Sequence, residues 1–201
     1  MISIIDYGAG NIFSVKNALD YLGLKSKLTR DKNDIENADA IILPGVGAFP
    51  SAMNMLGSTG LIDTIKEMVK QKPFLRICLG MQMIFEKGYD FGECDGLGLI
   101  KGKVDKVIAP GLNIPHMGWN KLEKLNDCPL LNGLSDDEYV YFVHSYQAYC
   151  DDKNISAYCE YADRIPALVY DGGNVYGAQF HPEKSGSVGL QILKNFGGLI
   201  K

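Results

Sequence analysis

Four short apolar runs in the first half of the chain are separated by stretches of helical spacing, and that alternation leaves few folds open. ISIID (2–6) reads as a buried strand. Asn11 is placed to N-cap a helix that carries Ile12, Val15, Leu19 and Leu22 on one face, and Gly23 ends it. LKSKLT (24–29) and AIILP (40–44) are the next strand candidates, the latter closed by the turn-rich PGVG. A helical pattern around Leu61, Ile65 and Met68 leads through Pro73 into the strand FLRI (74–77), and LGMQMIFEKG (79–88) reads as a helix ending at Gly88. Strands alternating with helices in this way predict a parallel sheet covered on both faces.

The second half is richer in strands. LIKGKVDKVI (99–108), YVYFVHSY (139–146), ISAYCEY (155–161), ALVYD (167–171) and NVYGAQF (174–180) all read as β, and the Gly-Gly between the last two marks a tight hairpin. Ser185 and Ser187 are N-cap candidates for a last helix bearing Val188, Leu190, Ile192, Leu193 and Phe196. With no linker, repeat or low-complexity segment, the expectation is a single α/β domain over 1–201. Its sheet should be open, mixed and mostly parallel, flanked by helices.

Composition narrows the function classes. A net charge of −4 leaves no basic surplus to neutralise phosphates, so nucleic-acid binding is not expected. No apolar run approaches the roughly 20 residues a membrane span needs, and MISIIDYGAG does not read as an export signal. Cys78, Cys94, Cys128, Cys150 and Cys159 are an odd set without a CxxC pair. That argues against a disulfide framework or a zinc site and fits a reducing cytoplasm.

Chemistry concentrates at strand ends. Cys78 follows FLRI and precedes Leu79 and Gly80, the position of a nucleophile at a sharp strand-to-helix turn, where the next backbone N–H helps bind an oxyanion. A helix N-terminus there favours a thiolate. The alternative is a buried structural cysteine, and a partner base decides between them. Of the three histidines, His116, His144 and His181, only His181 has a carboxylate two residues on, Glu183, held close by Pro182. The PGVG turn (44–47) offers a second source of oxyanion donors. DYGAGN is a poor dinucleotide loop, because Phe13 stands where the third glycine belongs.

With CLGMQ at 78–82, PGVG at 44–47 and HPEKS at 181–185, the chain resembles the class I (triad) glutamine amidotransferases. DYGAGN, PHMGWN (115–120) and YFVHSY (141–146) narrow the resemblance to the glutaminase subunits of imidazole glycerol phosphate synthase, over essentially the whole length. The resemblance implies a flavodoxin-like fold with no cofactor and no metal. It implies Cys78 as nucleophile, His181 as acid and base, and Glu183 to orient it. Val46, Gly47 and Leu79 would form the oxyanion hole, and Gly45, Gln82, His144, Ser145 and Tyr146 would hold glutamine. It also implies a partner, a TIM-barrel cyclase subunit that receives ammonia and makes imidazole glycerol phosphate and AICAR in histidine biosynthesis. Asn11, Met117, Trp119, Tyr141 and Lys184 would lie at that interface; the alternatives are a core Trp119 and a solvated Lys184.

One residue departs from the pattern. Arg76 stands two residues before the cysteine, where the resemblance leads one to expect glycine. Its cation would favour a thiolate while its bulk would crowd the turn. The expectation is that its charge reaches solvent or an acidic side chain. Two other readings stay open: a glutaminase serving a different or paralogous acceptor, such as a sugar-amidinating one, and, because of Arg76, a catalytically impaired regulatory subunit.

Overall fold

The computed structural model describes residues 1–200. The first half runs β1 (Ile2–Ile5), α1 (Ile12–Tyr21), β2 (Ser26–Thr29), α2 (Lys32–Glu36), β3 (Ala40–Gly45), α3 (Phe49–Ser58), α4 (Ile62–Met68), β4 (Phe74–Cys78) and α5 (Leu79–Gln82). Short strands follow: β5 (Lys87–Gly88), β6 (Cys94–Asp95), β7 (Lys103–Lys106), β8 (His116–Lys121) and β9 (Glu123–Lys124). The chain closes with β10 (Tyr139–His144), β11 (Tyr146–Tyr149), β12 (Ile155–Tyr161), β13 (Asp163–Tyr170), β14 (Val175–Ala178) and α6 (Gly186–Gly197).

An eight-stranded sheet in the order β2-β1-β3-β4-β14-β13-β12-β9 organises these elements. The pairs from β2 through β14 are parallel and the remainder antiparallel, which is the open, mixed, mostly parallel sheet expected from the sequence. Side chains alternate across it. Ile2, Ile4, Ile42, Leu75 and Ile77 pack with Val15 and Leu19 of α1 and Ile192, Leu193 and Phe196 of α6. Ile5, Ile41, Leu43 and Phe74 pack with Leu56 of α3 and Ile65 of α4. Each such aliphatic side chain contributes about 1.5–3 kcal/mol on burial, so both faces must be covered for the strands to persist.

The order places the chemistry. Parallel strands carry their carboxyl ends to one edge, and β3 and β4 deliver Gly45 and Cys78 there side by side, as paired residues. The smaller sheets, β10-β8 and β11-β7-β5-β6, lie outside the main one.

Several local expectations need correction. The helix after Cys78 stops at Gln82 rather than Gly88. The carbonyls of Met83, Ile84, Phe85 and Glu86 accept from the backbone of Leu97, Leu99, Gly98 and Gly96, so they are not left to continue a helix. YVYFVHSY divides at Ser145, whose carbonyl accepts from Val107. Only Lys103–Lys106 of the long run LIKGKVDKVI is strand. Asn11 stands at the N-cap of α1 without bonding its backbone, and accepts instead from the Ser14 hydroxyl at 2.8 Å. Ser185 likewise precedes α6 without capping it, and Ser187 lies inside that helix. The sequence reading missed α2, α3, β8 and the two-residue strands β6 and β9. Of these, α2 carries a clear signal, an Asp31 carboxylate accepting from the N–H groups of Asn33 and Asp34.

Candidate active site

Cys78 sits at the end of β4 with φ 55° and ψ −115°, backbone values that L residues avoid and that cost about 1–3 kcal/mol. The neighbouring backbone compels this geometry. A Cβ on Gly80 would lie 2.2 Å from the Leu43 carbonyl oxygen, and one on Gly45 would lie 2.6 Å from the Gly80 nitrogen. Two strand ends and the first turn of α5 therefore meet with no room for side chains between them. DYGAGN joins the same contact, for Gly10, at φ 106°, would place a Cβ 3.1 Å from the Pro44 carbonyl oxygen. Gly10 makes room for the PGVG turn, while Gly8 makes room for the Met55 side chain; no dinucleotide is needed to explain them.

A cavity of about 620 Å³ opens over the elbow. Val46, Gly47, Cys78, Leu79, Gln82, His144, Ser145, Tyr146 and His181 line it, which brings together most of the residues singled out from sequence; Gly45 lies beneath, against the elbow. The Cys78 sulfur lies 3.9 Å from the Val143 carbonyl and 4.0 Å from Nε2 of Gln179. Leu79 opens α5, so its N–H has no acceptor within the helix.

His181 reaches the cavity from the turn between β14 and α6. Its Nδ1 is 2.8 Å from Oε1 of Glu183, and both side chains are buried. The turn is pinned to β10, because the His181 N–H donates to the Tyr141 carbonyl and the Ser185 hydroxyl donates to the His181 carbonyl. That hydroxyl also accepts from the Tyr141 N–H, and this is the work Ser185 does in place of capping. Burial pulls the His181 pKa down, but the adjoining Cys78 and Glu183 outweigh it and raise the value to about 9. The imidazolium is therefore the resting form near neutrality.

His144 forms part of the wall, yet both of its nitrogens are already engaged. Nδ1 meets the Tyr146 carbonyl at 2.8 Å and Nε2 meets Nδ1 of His116 at 3.0 Å, so the ring supports the cavity from behind. Gln82 gives Nε2 to the Tyr146 carbonyl and to Oε1 of Gln179, each at 3.0 Å. Lys184 lies at the cavity rim. Trp119 and Met117 are exposed, the former edge-on to Tyr141 with ring centroids 6.0 Å apart, so the core alternative for Trp119 fails.

Asp90 was not legible in the sequence, where it stands in the unremarkable run KGYDFG. It is buried in the cavity wall, Oδ2 accepts from the Phe49 N–H at 3.1 Å, and Oδ1 has no partner. It also faces the Tyr146 hydroxyl, which pushes the Tyr146 pKa up to about 12.

The expectation for Arg76 was wrong. The side chain reaches neither solvent nor a carboxylate but is wholly buried, its guanidinium 4.0 Å from the centroid of the Phe74 ring. Nη1 makes one long contact to the Gly80 carbonyl, 3.5 Å, while Nε and Nη2 have no partner. Both faces of β4 are covered, so either parity is buried there, and alternation places residue 76 on the same face as Phe74. Burial disfavours its charged form, and Arg76 is not among the residues lining the cavity.

The chain matches the family profile "Glutamine amidotransferase class-I" over residues 3–198. An imidazole glycerol phosphate synthase subunit HisH of Bacillus cereus is 50% identical, the match covering 100% of this chain and 96% of that one. The same-named protein of Bacillus thuringiensis (strain Al Hakam) is 49% identical with the same coverage. Among solved structures, PurLQS from Thermotoga maritima superposes with a TM-score of 0.76 at 21% identity, over 100% of this chain and 98% of that one. Another solved glutamine amidotransferase gives 0.77 at 21% identity, over 99% and 98%. At that identity the structures speak to the fold.

Two outcomes are expected from this geometry. Glu183→Gln removes one cause of the raised His181 pKa and leaves that of Cys78, so an NMR titration of the His181 ring should show the value falling below about 9. The sign for stability follows. A folded pKa above the unfolded one adds stability that is full below about 6.5 and fades as pH rises through about 9, so urea midpoints of wild type and variant should converge at high pH. Separately, Arg76→Met keeps most of the volume and deletes an uncompensated cation, and should raise the unfolding free energy by about 1 kcal/mol or more in urea denaturation. A loss of stability would show that the Gly80 and Phe74 contacts outweigh the desolvation.

Proposed function

The chain belongs to the class-I glutamine amidotransferases, and on that premise we propose that it is the glutaminase subunit of an imidazole glycerol phosphate synthase, cleaving glutamine to glutamate and ammonia. The observation that carries the reading is the cavity in which a strained Cys78 meets a His181 already bonded to Glu183. The Cys78 sulfur attacks the side-chain amide carbon of glutamine. Developing charge on the amide oxygen falls to the N–H of Leu79 and to the PGVG turn at Val46 and Gly47, where Gly47, at φ 98°, allows the peptide to present its donor. His181 rests protonated and gives its proton to the departing ammonia; the neutral ring then draws a proton from water, which hydrolyses the thioester. Glu183 fixes the tautomer and supports the imidazolium in both steps.

Glutamine binding follows from what the wall leaves unpaired. Asp90 offers a buried carboxylate oxygen to the α-ammonium, a group whose charge suits it. Gln82 and the backbone at Gly45, Ser145 and Tyr146 frame the rest. The ammonia passes to a TIM-barrel cyclase subunit that docks on the exposed Met117 and Trp119, with Asn11, Tyr141 and Lys184 around them. We read 1–201 as one domain of a cytoplasmic heterodimer. The regulatory reading loses its motive, because Arg76 lies behind the elbow and does not intrude on the cavity.

Glutamate release by the isolated chain should be slow and should rise when the cyclase subunit binds with its nucleotide-like ligand. Cys78→Ala should abolish release without loss of fold, and substantial residual activity would overturn the assignment. In the complex, Asp90→Asn should raise KM for glutamine by about tenfold or more while changing kcat far less, as expected for a contact made equally in ground and transition states. A fall confined to kcat would remove Asp90 from the ammonium site.

A further inference from the structure

A line of buried and half-buried hydrogen bonds runs from strand β8 to the nucleophile. Asn120 Oδ1 lies 2.7 Å from His116 Nε2, His116 Nδ1 lies 3.0 Å from His144 Nε2, and His144 Nδ1 lies 2.8 Å from the Tyr146 carbonyl. That carbonyl also accepts from Gln82, whose Nε2 donates to Gln179, whose own Nε2 points at the Cys78 sulfur. The His116 ring is clamped between Phe142 and Tyr161, stacked at centroid distances of 4.8 and 4.0 Å. Ring rotation is blocked, so its remaining freedom is which nitrogen carries the proton.

Proton counting limits that freedom. The three contacts from Asn120 to Tyr146 each need one hydrogen, and two neutral imidazoles supply one each. Because the Tyr146 carbonyl is an acceptor only, His144 must carry its proton on Nδ1. Its Nε2 is then an acceptor, so His116 must carry its proton on Nδ1 as well. His116 Nε2 is left as an acceptor, and Asn120 must turn its amide NH₂ toward it, giving up the long, exposed 3.4 Å contact that its Nδ2 makes to the Glu160 carbonyl. A third proton, making an imidazolium, is the alternative. Burial opposes it at both rings, lowering the His144 pKa to about 3, with the neighbouring His116 and His181 charges adding to the effect.

We propose that Asn120 and His116 are positioning residues for the reaction: with His144 they form a one-way relay of N–H donors, all aimed at the Tyr146 carbonyl, that sets the Gln82–Gln179 pair and through it the Cys78 sulfur. This rests on the glutaminase reading above. Both protonated Nδ1 atoms are the less common tautomer, so the relay leaves a spectroscopic mark. It also ends on β8, the strand whose opposite face carries the exposed Met117 and Trp119, so a partner seated there presses on its first member.

The test uses the full chain labelled with ¹⁵N and long-range ¹H–¹⁵N spectra of its three histidines, beside glutamate release by the reconstituted complex. In the wild type, His116 and His144 should both be neutral with the proton on Nδ1 near neutral pH; an Nε2 proton on either, or a cationic ring, overturns the proposal. Asn120→Asp cannot donate and must accept, so His116 should carry a proton on Nε2: a neutral Nε2–H ring breaks the relay and should lower kcat/KM for glutamine by about tenfold, whereas an imidazolium, read from the same spectra, keeps the relay's donors and should spare the activity. Asn120→Ala removes the donor that holds His116 Nε2 as an acceptor, so part of the His116 population should move its proton to Nε2 and kcat/KM should fall by about threefold. Equal losses in the two variants with unmoved tautomers would reduce Asn120 to a packing residue. A wild-type complex that released no glutamate would sink the glutaminase reading, while the tautomers would still decide whether the relay exists.

Discussion

The close approach of Gly80 to the Leu43 carbonyl is the contact on which the arrangement turns. Backbone meets backbone at the ends of two parallel strands, and the space admits no Cβ on either Gly45 or Gly80. Cys78, caught between β4 and the first turn of α5, takes a positive φ because the chain must reverse within one residue. The same crowding brings the PGVG turn against the elbow and aims the sulfur into the cavity. Strain at the nucleophile is thus the local cost of a site assembled from main-chain atoms, and the apolar packing on both faces of the sheet sustains it.

A second level of organisation lies in how buried polar groups find partners. Ser185 accepts from Tyr141 and donates to the His181 carbonyl, so a single hydroxyl ties the turn of the base to the strand beside the cavity. Gln82 uses both hydrogens of its amide in fixing Tyr146 and Gln179. The groups that remain unpaired are informative by contrast. Asp90 keeps an unpartnered oxygen in the cavity wall, whereas Arg76 keeps two unpartnered nitrogens away from the cavity. Equal as orphans, they differ in address: the first faces the space a substrate would take, the second is enclosed in the core.

Much of this was legible in the sequence, for identifiable reasons. Buried parallel strands announce themselves as short continuous apolar runs, and the carboxyl ends of β3 and β4 fell where PGVG and Cys78 predicted. His181 and Glu183 were readable because they are two residues apart. What escaped depends on contacts distant in the chain. The helix from Leu79 was cut short when carbonyls beyond it were taken by the turn at 96–99. Asp90 acquires meaning through Phe49 and Tyr146, neither near it in sequence. Arg76 was misjudged because charge alone suggested an outward course, whereas β4 is covered on both faces and residue 76 falls on the side of the Phe74 ring. The caps at Asn11 and Ser185 were expected from residue type, yet their side chains found better partners.

The hairpin-fed strand β14 has a kinetic meaning as well. It pairs in parallel with β4 and carries His181 and Glu183 just beyond its end, so base and nucleophile meet only when residues about a hundred positions apart have joined. Pairing at that separation is the entropically slow kind, whereas the β1–α1–β2 and β3–β4 units close over shorter loops. A chain still being synthesised carries Cys78 well before it carries His181, and the reactive pair depends on the most widely separated strand pairing in the main sheet.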